Sequence, residues 1–314
     1  MAEKRPWIWP YDVLHFVFFG GQLVLLALVA SNMPDWGWWL LFDLLAIGSL
    51  LAIIRFSPQW SLRRAALVRL LHGCTVVPLV FTQVGLTIKA LGLHDQAPLL
   101  EAIDRWLFLG HNPLEALEAV SFPFLTELMQ WAYTAYILLP PATIILLAVK
   151  GDPAMIARSL FSLLGIMYLS YVGYYLVPAM GPNIHNNIGP LTSIDEPIFP
   201  LYHFETDLPG VWLTEWLRWG MFAAEVTKKD CFPSGHTAIA VASAVYAFRI
   251  GRTFGWIFLP VCTGVVLSTV YLRYHYVVDV LAGLLLAVFC LTIFERIHRR
   301  FEPVLFSSSL PEES

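Results

Sequence analysis

The stretch CFPSGHTAIAVASAVYAFRIGRTFGWIFLPVCTGVVLSTVYLRYHYVVDVLAG, residues 231–283, decides how this chain folds. Two apolar runs, 234–250 and 253–272, are parted only by the turn Arg249-Ile250-Gly251-Arg252, and a third run starts at His275. A membrane-crossing helix needs roughly 20 mostly apolar residues. The stretch therefore reads as an out-and-back helical hairpin followed by another helix. Two crossings return the chain to the side it left, so the start of the first run and the start of the third share one surface. His236 opens the first and His275 the third.

The same pattern extends across the chain. Apolar runs at 11–31, 37–56, 66–92, 121–148 and 158–178 join 234–250, 253–272 and 275–296, and the expected fold class is all-α, a polytopic transmembrane helix bundle of about eight spans. The first run is too long for a signal-peptide core and lacks a small-residue cleavage site, so it is kept as a span. Composition agrees: 58% of the 314 residues are hydrophobic and 13% charged, against roughly 25% charged in a soluble domain. A net charge of −4 argues against a nucleic-acid binder, which would show a concentrated basic face. The expected partners are membrane lipids, with no nucleic acid.

Polar stretches 93–120 and 179–233 interrupt the spans. Within them, 98–110 and 210–226 mix Trp and Leu with spaced charges. Each reads as a helix at headgroup level or packed on the bundle. The chain from Phe301 onward is expected to be a loosely ordered tail. Eight spans put both termini on one side. That side collects 13 of the 19 Lys and Arg residues, and positive charge accumulates in the cytoplasm. Both termini are thus expected to be cytoplasmic, with the 179–233 loop and both histidines on the opposite face.

The chemistry-bearing residues gather at that face. In Pro233-Ser234-Gly235-His236 a polar loop becomes an apolar helix. Ser234 is a natural N-cap, and free N–H groups at a helix start attract anions. Downstream, His275 and Asp279 are four residues apart and share a helix face. A carboxylate there can take the imidazole N–H and leave the other nitrogen free as nucleophile or base. Such groups near the end of a span are costly unless paired or used. The four cysteines show no CxxC pair or metal-ligand spacing, so they are read as small packing residues, and no metal or cofactor is expected.

FPSGHTA followed by Arg273-Tyr274-His275-Tyr276-Val277-Val278-Asp279 resembles the type 2 phosphatidic acid phosphatase superfamily. It is most similar to the branch containing inositol phosphorylceramide synthase. The resemblance covers 158–296; the earlier helices agree by hydropathy alone. It implies a six-helix phosphatase-like core over 65–300, preceded by a two-span extension, 1–64, and followed by the tail 301–314. It also implies roles. His275 attacks phosphorus and forms a phosphohistidine, Asp279 orients it, and His236 protonates the leaving alkoxide and then activates water or an alcohol. Ser234 and the Gly235 N–H hold phosphoryl oxygens. The lipid ester is thereby hydrolysed, or its headgroup passed to an acceptor such as a ceramide or diacylglycerol.

The chain departs from that pattern in two places. The first superfamily motif, a Lys with Arg-Pro six residues later, is replaced by GYYLVPAMGPN at 173–183, and the usual Arg six residues before the nucleophile is Thr269. Arg273, Lys228 and Lys229 are the candidate replacement cations. Tyr174, Tyr175 and Asn183, near that helix exit, are headgroup candidates. Fewer cations suit a diester, which tilts the reading toward headgroup transfer. Asp43, His72, Gln83, Lys89, Glu127 and Gln130, polar residues in or near spans, are expected to satisfy one another or snorkel. His185 and His203 are expected to be solvated. Two other classes stay open: a hydrolase binding zinc through His236, His275 and Asp279, and a transporter whose polar pairs are structural.

Overall fold

The computed structural model describes residues 8–183, 208–224 and 228–306. Its helices are α1 (Pro10–Val29), α2 (Trp36–Phe56), α3 (Leu62–Ala90), α4 (Ala97–Leu107), α5 (Pro113–Ala116), α6 (Pro123–Thr134), α7 (Leu139–Lys150), α8 (Pro153–Leu176), α9 (Thr214–Ala224), α10 (Gly235–Ile250), α11 (Arg252–Tyr271), α12 (Val277–Phe289) and α13 (Glu295–Phe306). The fold is all-α, a bundle of apolar helices. Side chains such as Val17 (69% exposed), Leu28 (68%) and Leu285 (71%) face outward, which only a lipid surround makes favourable over so many helices.

Six described helices are long and apolar enough to cross a membrane: Pro10–Val29, Trp36–Gln59, Leu62–Ala90, Pro153–Leu176, Arg252–Tyr271 and Val277–Pro303. The expected span 121–148 is a pair, Pro123–Ile137 and Leu139–Lys150, bent by 47°. Pro140 and Pro141 explain the break, since proline lacks the N–H of a continuing helix and crowds the preceding turn. The expected span 234–250 is α10, whose 16 residues fall short of roughly 20. Eight uniform spans is thus too simple a description.

Local signals set the helix ends. Ser61, Asp152 and Ser234 cap α3, α8 and α10 by accepting the N–H of Arg64, Met155 and Thr237, the stabilising N-cap arrangement. Gly151 follows α7 and Gly251 alone separates α10 from α11, so the 249–252 turn is as tight as its sequence implies. The two amphipathic segments are helices α4 and α9. Trp106 is 76% exposed, and Trp212 and Trp216 are 81% and 68% exposed, as suits a headgroup layer. At the other extreme, the helix runs on through Phe306, with Glu302 paired to Arg158 at 2.8 Å. The expected loose tail is therefore helical at its start, while residues 307–314 lie outside the described part, as do His185 and His203.

The central element is α8. One apolar cluster joins it to α1, α2 and α3 through Phe19, Leu50, Val80 and Tyr168, and another joins it to α7, α10 and α12 through Leu147, Ile166, Tyr246 and Ala287. Polar residues inside the first half pair with each other. Asp12 and Arg69, both fully buried, meet at 2.8 Å, and Gln83 donates to Asp43 at 2.9 Å. His72 bridges Tyr11 at 3.0 Å and Ser49 at 2.9 Å. Burying such groups is tolerable only when they are bonded.

Candidate active site

Residues 268–279 build one wall of the site. As α11 ends, Thr269 O accepts the N–H of both Tyr274 (2.9 Å) and His275 (3.0 Å). Arg273, between them and the helix, sits at φ 65°, a left-handed conformation costing a non-glycine residue about 1–3 kcal/mol. This reversal throws His275 off the end of α11 and ahead of α12. Asp279 lies in the first turn of α12, where its Oδ2 accepts the Tyr276 N–H at 3.0 Å, the helix-capping use of an acidic residue at that position.

The facing wall is the 231–236 turn. Ser234 is fully buried; its N–H donates to the Asp279 carbonyl at 3.1 Å, which pins the start of α10 to α12. Two glycines allow the turn to be gripped from both sides. A Cβ on Gly173 of α8 would fall 2.2 Å from Pro233 Cδ, and one on Gly283 of α12 would fall 2.5 Å from Ser234 O. Neither approach is open to a larger residue.

Between these walls His236 Nδ1 and His275 Nε2 lie 3.2 Å apart. His275 Nδ1 is 3.0 Å from the Cys231 carbonyl and 3.4 Å from Asp279 Oδ2. Both partners are acceptors, so Nδ1 carries the proton and Nε2 turns its lone pair toward His236. His236 lies between Tyr133 and Tyr136, with ring centroids at 4.9 and 4.2 Å. Asp279 Oδ1 is buried with no hydrogen-bond partner among the described residues.

Cys231, read from sequence as a packing residue, is part of this arrangement. Its Sγ donates to Asp279 Oδ2 at 2.8 Å and lies 3.4 Å from His275 Nδ1. Burial, then the neighbouring Asp279, pushes the thiol pKa well above its ordinary range, so the sulfur keeps its proton and acts as the donor. Its place in a polar segment, just before Pro233, was the one sequence signal. The tyrosines of the bent pair left none, because their approach to His236 depends on tertiary packing.

The other expected site residues are distributed differently. Arg273, nearly buried, pairs with Glu118 at 2.6 Å, and Lys229 donates to the Leu93 carbonyl at 2.6 Å. Lys228 is half-buried on the approach to the turn. Tyr174 stands beside the start of α10, its hydroxyl 3.0 Å from where a Gly235 Cβ would be. Tyr175 turns away and donates to Gln22 of α1 at 3.0 Å. Asn183 donates its backbone N–H to Arg273 O at 2.7 Å, which laces the 177–183 exit against the His275 turn. Glu127 is structural, accepting the N–H groups of Val211, Trp212, Leu213 and Thr214 at the start of α9.

A cavity of about 650 Å³ opens from this site. His236, Gly235 and Tyr174 stand at one end. Its walls run down α3, α7 and α8 past Cys74, Ile144 and Leu163 to Leu160 and Leu70. From Tyr174 to Leu160 along α8 is about 21 Å at ~1.5 Å per residue. The lining is almost wholly apolar.

Known proteins match this chain as follows. A family model described as the PAP2 superfamily matches residues 99–293, more than half of the chain. A PA-phosphatase related-family protein of Dictyostelium discoideum is 40% identical over 60 residues, 19% of this chain and 11% of that protein. The matched segment is thus a small part of that relative's length. A search of solved structures finds no match.

Proposed function

This chain belongs to the PAP2 superfamily, and from that premise we propose that it cleaves a lipid phosphate ester through a phosphohistidine on His275. The observation that carries the proposal is the 3.2 Å approach of His275 Nε2 to His236 Nδ1 at the head of a deep apolar cavity. The two imidazoles bond to each other at this distance, so the phosphoryl group enters as that contact parts, with phosphorus at His275 Nε2 and the leaving oxygen facing His236. The His275 Nε2 lone pair attacks it, the bond to the lipid oxygen breaks, and His236 gives its proton to the departing alkoxide. In the second step His236 takes a proton from water or an alcohol, whose oxygen attacks phosphorus as the N–P bond breaks. Phosphoryl transfer is mainly positioning and charge neutralisation, and two imidazoles can exchange acid and base roles near neutral pH.

The Cys231 carbonyl and Asp279 serve this scheme by holding the proton on Nδ1. The Ser234-capped start of α10 supplies backbone N–H groups for phosphoryl oxygens, and the candidate cations nearest in sequence are Lys228, Lys229 and Arg273, the last already paired with Glu118. The cavity receives a hydrocarbon tail. That tail comes from the bilayer, which is as apolar as the cavity, so its value is in fixing the headgroup rather than in driving binding. At about 21 Å the cavity is deeper than one leaflet of a ~30 Å hydrocarbon core, which favours a long-chain substrate. The absence of the Lys/Arg-Pro motif favours headgroup transfer from a diester, as in the inositol phosphorylceramide synthase branch. By charge distribution the site opens on the non-cytoplasmic face.

The test incubates purified protein with labelled phosphatidate or phosphatidylinositol, with and without ceramide or diacylglycerol, in a strong chelator. Free phosphate marks a phosphatase and a new headgroup-bearing lipid a transferase. His275→Ala abolishes either. His236→Ala slows lipid cleavage by about 10²–10⁴-fold but spares attack on a nitrophenyl ester, whose leaving group needs no proton. Wild-type rates in His275→Ala would remove the nucleophile assignment. Loss of activity in chelator would favour the zinc hydrolase reading.

A further inference from the structure

We propose that Cys231, His275 and Asp279 form an inhibitory site for a thiophilic divalent cation of the zinc type. Among the described residues these three side chains can each offer one ligand atom, all within 4.8 Å of one another. One thiol, one imidazole and one carboxylate are a zinc donor set. The set differs from the His236, His275, Asp279 triad that the sequence offers, because it uses the opposite nitrogen of His275.

The geometry is close to what a tetrahedral ion requires. Zinc binds sulfur at about 2.3 Å and nitrogen or oxygen at about 2.0–2.2 Å, which sets tetrahedral ligand atoms roughly 3.3–3.6 Å apart. Two edges of the triangle, Sγ to His275 Nδ1 and Nδ1 to Asp279 Oδ2, are already 3.4 Å. The third, Sγ to Oδ2, is 2.8 Å and is held short by the thiol proton. That proton leaves when the metal binds, so the edge is free to widen. Buried Oδ1 of Asp279 has no partner among the described residues and is available as a second carboxylate donor. A water completes the shell.

Inhibition follows from proton bookkeeping. The thiol proton passes to solvent as the sulfur–metal bond forms. The Nδ1 proton is displaced and reappears on Nε2 by tautomer exchange. Nε2 then bears a hydrogen and has no lone pair for phosphorus. The inhibition rests on His275 being the nucleophile, as proposed above; the binding does not.

Two measurements on the full-length protein separate these. Cobalt titrated into metal-free protein gives a thiolate-to-cobalt charge-transfer band in the near ultraviolet, absent in Cys231→Ser and in His275→Gln. Zinc inhibits lipid turnover reversibly, and chelator restores the rate. The inhibiting concentration rises more than roughly tenfold in Cys231→Ser, measured against that variant's own metal-free rate, since even outer-shell changes cost 10–100-fold in affinity. No cobalt band in the wild type, or equal zinc sensitivity in both proteins, overturns the proposal. Loss of turnover on chelation overturns it as well, by making the metal a cofactor. A cobalt band in a protein that turns over no lipid phosphate upholds the site and sinks the phosphohistidine reading instead.

Discussion

Asp104 reaches from α4 to the first turn of α12, where its carboxylate accepts the N–H groups of Val277 at 2.7 Å and Val278 at 2.8 Å. It thereby fixes the helix that carries Asp279, two residues beyond the segment that presents His275. Burial raises its pKa to about 6, against the opposing pull of those two bonds. A raised carboxyl pKa means that the folded state binds the proton more tightly than the unfolded state. The resulting stabilisation is complete below about pH 4 and is lost as pH rises through about 6. In Asp104→Asn the amide oxygen still accepts an N–H but no longer titrates. The melting temperature of the wild type relative to this variant is expected to fall between about pH 4 and about pH 7, as read by thermal unfolding in detergent. A difference that does not change with pH would count against it.

At the scale of elements, α1 and α2 are tied to α3 and α8 by polar groups that no lipid could satisfy. The Arg69 guanidinium grips Asp12 through Nε at 2.8 Å and Nη2 at 2.9 Å, and lies 4.3 Å over the Trp9 ring. Such a fork is strong because both charges are bonded twice, yet its net value is small because both ions are desolvated. Removing one partner is another matter. Arg69→Leu strands a buried carboxylate and is expected to cost about 3–5 kcal/mol, whereas Asp12→Leu with Arg69→Leu recovers most of that loss. Denaturation of the two variants in the same detergent checks this; equal losses would show that the helices are held by packing alone.

Over the whole molecule, the cavity couples the reacting end of the bundle to its apolar middle. The bent pair α6–α7 makes this possible, because the break beside Pro140 and Pro141 brings Tyr136 against His236 while Ile144 continues down the wall. Filling the lower cavity from either side, with Cys74→Trp on α3 or Ile144→Trp on α7, should keep a long tail from seating and so displace its phosphate. A displacement of about 1 Å can cost on the order of 10²-fold in rate. The loss of kcat/KM is expected to grow with chain length across a series of lipid phosphates. Equal losses for short and long chains would mean the tail does not enter.

The amino-acid sequence alone determined that the chain is a helical membrane bundle, because hydropathy over about 20 residues is a local property fixed by bilayer thickness. It also determined that His236 and His275 return to one end, since two successive apolar helices joined by a single-glycine turn run out and back. Tertiary structure decided the rest. It selected the Cys231 carbonyl as well as Asp279 to hold His275, gave Arg273 to Glu118, turned Tyr175 toward α1, and bent the span at 121–148. Each of these depends on which backbone and side-chain groups from distant segments come within about 3 Å, and hydrogen bonds at that range leave no periodicity along the chain.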